Sequence, residues 1–89
     1  MPLNNYEVTI SKKALKQLKK LDTVSQHRIT EFLQSLRYID PKSQGKKLQG
    51  NMDDIWRYRV GNYRILAHVE GEKLTILIVK IGHRKDVYK

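Results

Sequence analysis

The amino-acid sequence predicts an α+β domain in the order β-α-α-β-β-β, one helical layer on one sheet. Three observations carry this. Apolar and polar residues alternate in Tyr6–Ile10 and again from Trp56 onward, as half-buried strands require. Between Lys12 and Arg37 the apolar spacing changes to three and four residues, the period of helices packed on one side. Gly61-Asn62 and Gly71-Glu72 each separate two strand-like runs by two residues, a hairpin signal. At 89 residues the chain suits one domain, 1–89, with a modest core.

In chain order, Tyr6–Ile10 is the first strand, with Tyr6, Val8 and Ile10 inward. Ser11 is placed to cap a helix over Lys12–Leu21, whose apolar positions are Ala14, Leu15, Leu18 and Leu21. Lys12, Lys13, Lys16, Lys19 and Lys20 cover its remainder, either as a solvated face or as a contact with nucleic-acid backbone. Thr23-Val-Ser-Gln26 has the form of a capping box and starts a second helix reaching about Arg37. Its stripe is Val24, Ile29, Phe32, Leu33 and Leu36, and the two helices join around Asp22 as an αα-hairpin. Asp40-Pro41 ends the helical region. Residues 41–53 are a polar loop with Gly45 and Gly50 as turn points and Leu48 as its anchor to the core.

The hairpin around Gly61-Asn62 organises the rest. A two-residue loop pairs Val60 with Tyr63, Arg59 with Arg64, Tyr58 with Ile65 and Trp56 with Ala67. Those apolar residues share the core face, and Trp56 is expected to be buried there. Arg57, Arg59 and Arg64 share the other face. Like charges directly opposite one another destabilise a sheet, so Arg59 against Arg64 argues for an anion site. The planar arginine fork matches phosphate oxygens. The competing reading is a solvated basic face with neighbouring carboxylates. The second turn, Gly71-Glu72, pairs Glu70 with Lys73, Ala67 with Ile76 and Ile65 with Ile78. Leu74–Ile81 is apolar on both faces and reads as a central strand. It runs back toward Gly61-Asn62, which brings His83, Arg84, Lys85, Tyr88 and Lys89 to the arginine face.

The net charge is +9, and residues 41–89 carry +6 of it. Such a balance points to an acidic partner: nucleic acid, a membrane surface or an acidic protein. No run is long and apolar enough to span a membrane, and no signal peptide is expected. Absence of cysteine excludes disulfides and thiolate zinc sites and fits a reducing, cytoplasmic setting. His27, His68 and His83 are scattered, no carboxylates have metal-ligand spacing, and no glycine-rich phosphate loop precedes a helix. Neither metal nor cofactor is therefore expected. A cationic pocket with one phenol and one imidazole can still cleave RNA, because the substrate's own 2′-hydroxyl is the nucleophile. Such a site removes one proton, stabilises the added charge and assists the leaving 5′-oxygen. Arginines supply the second role; Tyr88 or His83 could supply the first.

Several short stretches together resemble the RelE/ParE superfamily of bacterial toxins, especially RelE-like messenger-RNA interferases, over nearly the full length. They are Ala14-Leu15-Lys16-Gln17-Leu18, Lys47-Leu48-Gln49-Gly50, Tyr63-Arg64 after a tight turn, and Gly82-His83-Arg84 with Tyr88. The resemblance implies two helices on a mainly antiparallel four-stranded sheet. It implies a type II toxin that cuts messenger RNA in the ribosomal A site without metal. By position, Arg57 and Arg59 match a basic pair that is usually lysine, and arginine there is poorly suited to proton transfer. Arg64 matches the phosphate-binding arginine, Arg84 the group aiding the leaving oxygen, and Tyr88 the general base. His83 shares that last role, since some relatives use a C-terminal histidine. Lys46, Lys47 and Lys85 join as RNA contacts. The implied partners are a RelB-like antitoxin, the ribosome and messenger RNA, with the toxin–antitoxin complex binding operator DNA through the antitoxin. Two rivals remain: a ParE-type DNA gyrase inhibitor, whose C-terminal segment also carries a run like Arg84-Lys85-Asp86, and a non-catalytic RNA-binding domain.

Overall fold

The computed structural model describes residues 6–38, 45–47, 55–71 and 73–83. The first strand, β1 (Glu7–Ile10), passes directly into α1 (Lys12–Lys19). Ser11 caps that helix as expected: its extended backbone frees the hydroxyl to accept the Ala14 N–H at 3.1 Å. The second helix, α2 (Thr23–Ser35), begins one residue earlier than the capping-box reading had it. Asp22 is the cap, its Oδ2 accepting the Ser25 N–H at 3.1 Å, and Thr23 is already helical. Gln26 ties the two helices together instead of closing a capping box. Its Nε2 donates to the Leu21 carbonyl at 2.7 Å and the Lys19 carbonyl at 3.3 Å.

Four further strands follow: β2 (Lys46–Lys47), β3 (Ile55–Val60), β4 (Tyr63–Glu70) and β5 (Thr75–His83). They form one mixed sheet in the order β1-β5-β4-β3-β2, with β1 parallel to β5 and the other neighbours antiparallel. The expected four strands thus become five. The extra one lies in the polar loop: Lys46 pairs with Arg57 and Lys47 with Trp56 at the sheet edge. Two polar residues are too few to show an alternation, so no periodicity marks this strand. Leu48 lies outside the described residues.

The β3–β4 hairpin has the predicted register at every pair named above. Its turn depends on Gly61, whose φ of +59° is the left-handed region that glycine enters without steric cost. The β4–β5 hairpin differs. Its connection spans residues 71–74, with Leu74 at φ +52°, so Glu70 faces Thr75 and Ala67 faces Ile78. The slip from the expected pairing is two residues. Such a slip returns each side chain to its own face, which is why alternation cannot detect it. A bulge follows, leaving Val79 unopposed between Ala67↔Ile78 and Leu66↔Lys80. Beyond it the slip becomes three, and Ile65 faces Ile81 instead of Ile78. An odd slip reverses the faces. Ile76, Ile78 and Ile81 can all enter the core only because of it.

The core packs Ala14 and Leu18 of α1 and Ile29 and Leu33 of α2, with Leu36 just past it, against Tyr58, Ile65, Ala67, Val69 and the three isoleucines of β5. Phe32 adds a tilted ring contact with Tyr58 at 5.4 Å. Two expectations are corrected. Val24 is 67% exposed, in the first turn of α2, and the buried residues of that helix begin only at Ile29. Trp56 has the predicted register but is only partly buried, packing at the border of the core beside the edge strand. At the opposite side of the sheet β1 ends at Ile10↔Ile78. Gln17 of α1 takes over from it, its Oε1 accepting the Ile81 N–H at 2.8 Å.

Candidate phosphate-binding site

The sheet face turned away from the core carries the arginines. Partners across a ladder share a face. Lys46↔Arg57 and Arg59↔Arg64 therefore place four cationic residues from three strands on one surface. With Gly45 they line a depression of about 270 Å³. Exposure falls toward its floor: Lys46 and Arg59 are exposed, Arg57 is half-buried, and Arg64 is only 8% exposed. Arg64 lies on β4, with β3 on one side and β5 on the other. Its partner on β5 is Gly82, which has no side chain to crowd the guanidinium. None of the ion pairs formed between described residues involves Lys46 or Arg59.

Gly45 was legible in the sequence only as a turn point. Its structural role is a close approach. A Cβ there would collide with the Arg57 carbonyl oxygen and stand 2.7 Å from Tyr58 Cδ1. The missing side chain lets the chain entering β2 lie against β3, and so brings Lys46 to the depression.

The other expected residues divide. Lys47 pairs with Trp56 and takes the core-side face, away from the depression. His83 does the same: it faces Tyr63, and their rings meet edge-on with centroids 5.6 Å apart and planes at 74°. The bulge is the cause, since the reversal that buries Ile81 also turns His83 from the arginine face. Arg84, Lys85, Tyr88 and Lys89 lie outside the described residues. The five lysines of the first helical segment, Lys12 to Lys20, are exposed and stand apart from the depression. Among the described residues no group of three or more histidines and carboxylates could hold a metal ion. No described helix is long and apolar enough to cross a membrane.

This geometry suits a phosphodiester. Four cations can neutralise its non-bridging oxygens, and partial burial of Arg64 strengthens its interaction with an anion by excluding water. Residues 8–88 match the family model described as the ParE toxin of the type II toxin-antitoxin system, parDE. The chain belongs to the RelE/ParE toxin superfamily. The toxin RelG of Mycobacterium tuberculosis is 29% identical over 84 residues, which cover 94% of this chain and 97% of that one. A toxin named RelE1 of Methanocaldococcus jannaschii is 32% identical over 87 residues, covering 94% and 96%. Among solved structures, the toxin–antitoxin complex RelBE2 of M. tuberculosis contains a chain that superposes with a TM-score of 0.82 at 28% identity, covering 90% of this toxin and 99% of that chain. The archaeal RelE–RelB complex of Pyrococcus horikoshii gives 0.77 at 31% identity, covering 93% and 99%. This protein is accordingly a toxin of a type II toxin-antitoxin system, of RelE-like fold.

Proposed function

We propose that this toxin is a metal-free endoribonuclease that cuts messenger RNA in the ribosomal A site, held inactive by a RelB-like antitoxin. The depression lined by Lys46, Arg57, Arg59 and Arg64 is the observation that carries this reading. The scissile phosphate sits over Arg64, with Arg57 and Arg59 beside it. A base takes the proton of the 2′-hydroxyl, whose oxygen attacks phosphorus. The bond to the 5′-oxygen breaks, that oxygen gains a proton, and a 2′,3′-cyclic phosphate remains. Charge added to the non-bridging oxygens is met by cations already fixed on strands, so little reorganisation is needed as the reaction proceeds. Tyr88 is the base in this reading and Arg84 assists the leaving oxygen. The position of His83 on the far face argues against sharing the first role with it.

Antitoxin inhibition follows from the same charge: an acidic segment laid over the depression would exclude RNA. That the named structural relatives are complexes with RelB supports this partner. The operator DNA of such a system would be read through the antitoxin.

Primer extension on messenger RNA after induction tests the reading. New 5′ ends within translated codons are expected. Intact transcripts with a DNA-damage response would instead establish the rival reading, gyrase inhibition. Intact transcripts with tight RNA binding would leave a non-catalytic domain. On programmed ribosomes, Tyr88→Phe should lower single-turnover cleavage by roughly 10²–10⁴ with binding unchanged, the usual contribution of acid–base catalysis. His83→Gln should have the smaller effect, and the reverse ranking would move the base to His83.

A further inference from the structure

The cationic surface does not stop at the hairpin tip. On the core-side face, α2 and the β3–β4 turn enclose a hollow of about 120 Å³, lined among others by Ser25, Arg28, Asn62 and Tyr63. Arg28 Nη1 lies 3.5 Å from where a Cβ of Gly61 would be, so this guanidinium rests over the turn. Arg28 is exposed, and no carboxylate among the described residues pairs with it. Arg59 and Arg64, which flank the same turn, project from the opposite face. The tip between them is two residues thick, and one of the two has no side chain. Tyr63 borders the hollow half-buried, its ring braced by the edge-on contact with His83. The hollow is not a helix-terminus anion site, because Asp22 already occupies the start of α2.

Resting on the ribonuclease reading above, we infer that this hollow is a second nucleotide subsite. Single-stranded RNA leaving the arginine depression bends around Gly61-Asn62. Arg28 then takes the next phosphate and Tyr63 stacks on the unpaired base. An arginine fork beside an aromatic ring is the combination that single-strand recognition uses: charge follows the backbone, and the ring accepts any base. The Asn62 amide offers both a donor and an acceptor to the base edge. The substrate class is thereby extended from a single scissile phosphate to a strand with unpaired nucleotides on both sides of the tip. His83 acquires the role of a positioning residue for Tyr63.

Fluorescence anisotropy with 2′-O-methyl RNA, which cannot supply the nucleophile, tests this on the intact toxin. A dinucleotide and an octanucleotide are compared. Arg28→Ala should weaken the octanucleotide about tenfold and lower its salt slope by about one, leaving the dinucleotide unchanged. Tyr63→Leu should weaken the octanucleotide by roughly 5- to 150-fold, the range for one lost stacking contact. Tyr63→Phe should restore it. Arg28 is exposed, so Arg28→Ala stays informative if Tyr63→Leu fails to fold. Octanucleotide binding unaffected by Arg28→Ala, while Arg64→Ala abolishes it, overturns the subsite and leaves the depression intact. Binding indifferent to Arg64→Ala but sensitive to Arg28→Ala keeps the subsite and overturns the depression as the RNA site.

Discussion

The β3–β4 hairpin has two faces built from the same backbone, and they obey different rules. On one, Tyr58, Ile65 and Ala67 are wholly buried beneath the helices, chosen for volume and apolar surface. On the other, Arg59 stands directly across from Arg64, and a strand-edge lysine faces Arg57. The first arrangement lowers the free energy of folding; the second sets like charges opposite one another, a pairing that a sheet does not favour. Alternation allows both to coexist, because one residue step along a strand crosses from one regime to the other. A face that gathers cations, behind one that serves the core, is where an anionic ligand belongs.

The largest effect that would sharpen this contrast is on the core face. Tyr58→Ala should destabilise the toxin by about 3–5 kcal/mol in denaturant titration, the range for truncating a buried large aromatic. Loss of less than about 1 kcal/mol would mean that the ring is not held between Phe32 and the sheet. On the arginine face, Arg64→Ala should cost roughly 2.7–4 kcal/mol in the barrier to RNA cleavage, the size of one lost oxyanion donor. Its unfolding midpoint should stay level or rise, as repulsion with Arg59 is relieved. A variant that is inactive because it unfolds would break the separation of faces.

Gly45→Ala tests the point where the two faces meet. The new methyl group presses on the Arg57 carbonyl and the Tyr58 ring together, so about 1–3 kcal/mol of stability should be lost along with RNA affinity. A change in only one of these would show that the faces are less linked than the close approach implies. The smallest effect lies away from both. The Ser25 hydroxyl, and after it the Ser25 N–H, holds the Asp22 carboxyl below the usual aspartate range. A depressed carboxyl stabilises the fold above its unfolded pKa of roughly 3.9 and loses that contribution as pH falls through the folded value. Asp22→Asn keeps a good cap, so it should match wild type at neutral pH and show a shallower acid limb in thermal melts.

Much of this was legible from residue order because glycine and alternation act locally. Gly61-Asn62 fixes the tightest turn, and the arginine face follows from it by counting. Ser11 reads correctly as a cap for the same reason. What escaped depends on distant packing. Leu74 in the left-handed region lengthens a loop that Gly71-Glu72 alone would have closed, and the slip of two leaves no trace in the pattern. The bulge at Val79 does leave one, in retrospect: Ile76, Ile78 and Ile81 cannot share a face of a regular strand. Reading that as a strand apolar on both faces was the simpler inference, and it carried His83 to the wrong side. Lys46–Lys47 is too short to announce itself, and Gly45 shows its meaning only when β3 lies against it. Arg57, Arg59 and Arg64 were legible as neighbours on one face, and the structure gathers them around one depression; Arg28 comes to the same turn only through the packing of α2 on the hairpin, which no local pattern records.

The placement of β5 sets a timetable. This strand lies between β1 and β4, so residues near position 8 and residues near position 78 are neighbours. A chain released from the ribosome up to Val69 alone would hold β1 and the β3–β4 hairpin with nothing between them, and the helices would have no continuous floor. Long loop closure of this kind delays folding until β5 arrives. A chain truncated before Thr75 should therefore remain protease-sensitive and bind no RNA. A protein proposed to cut messenger RNA on the ribosome would in this way stay harmless to the ribosome that is making it until β5 has emerged.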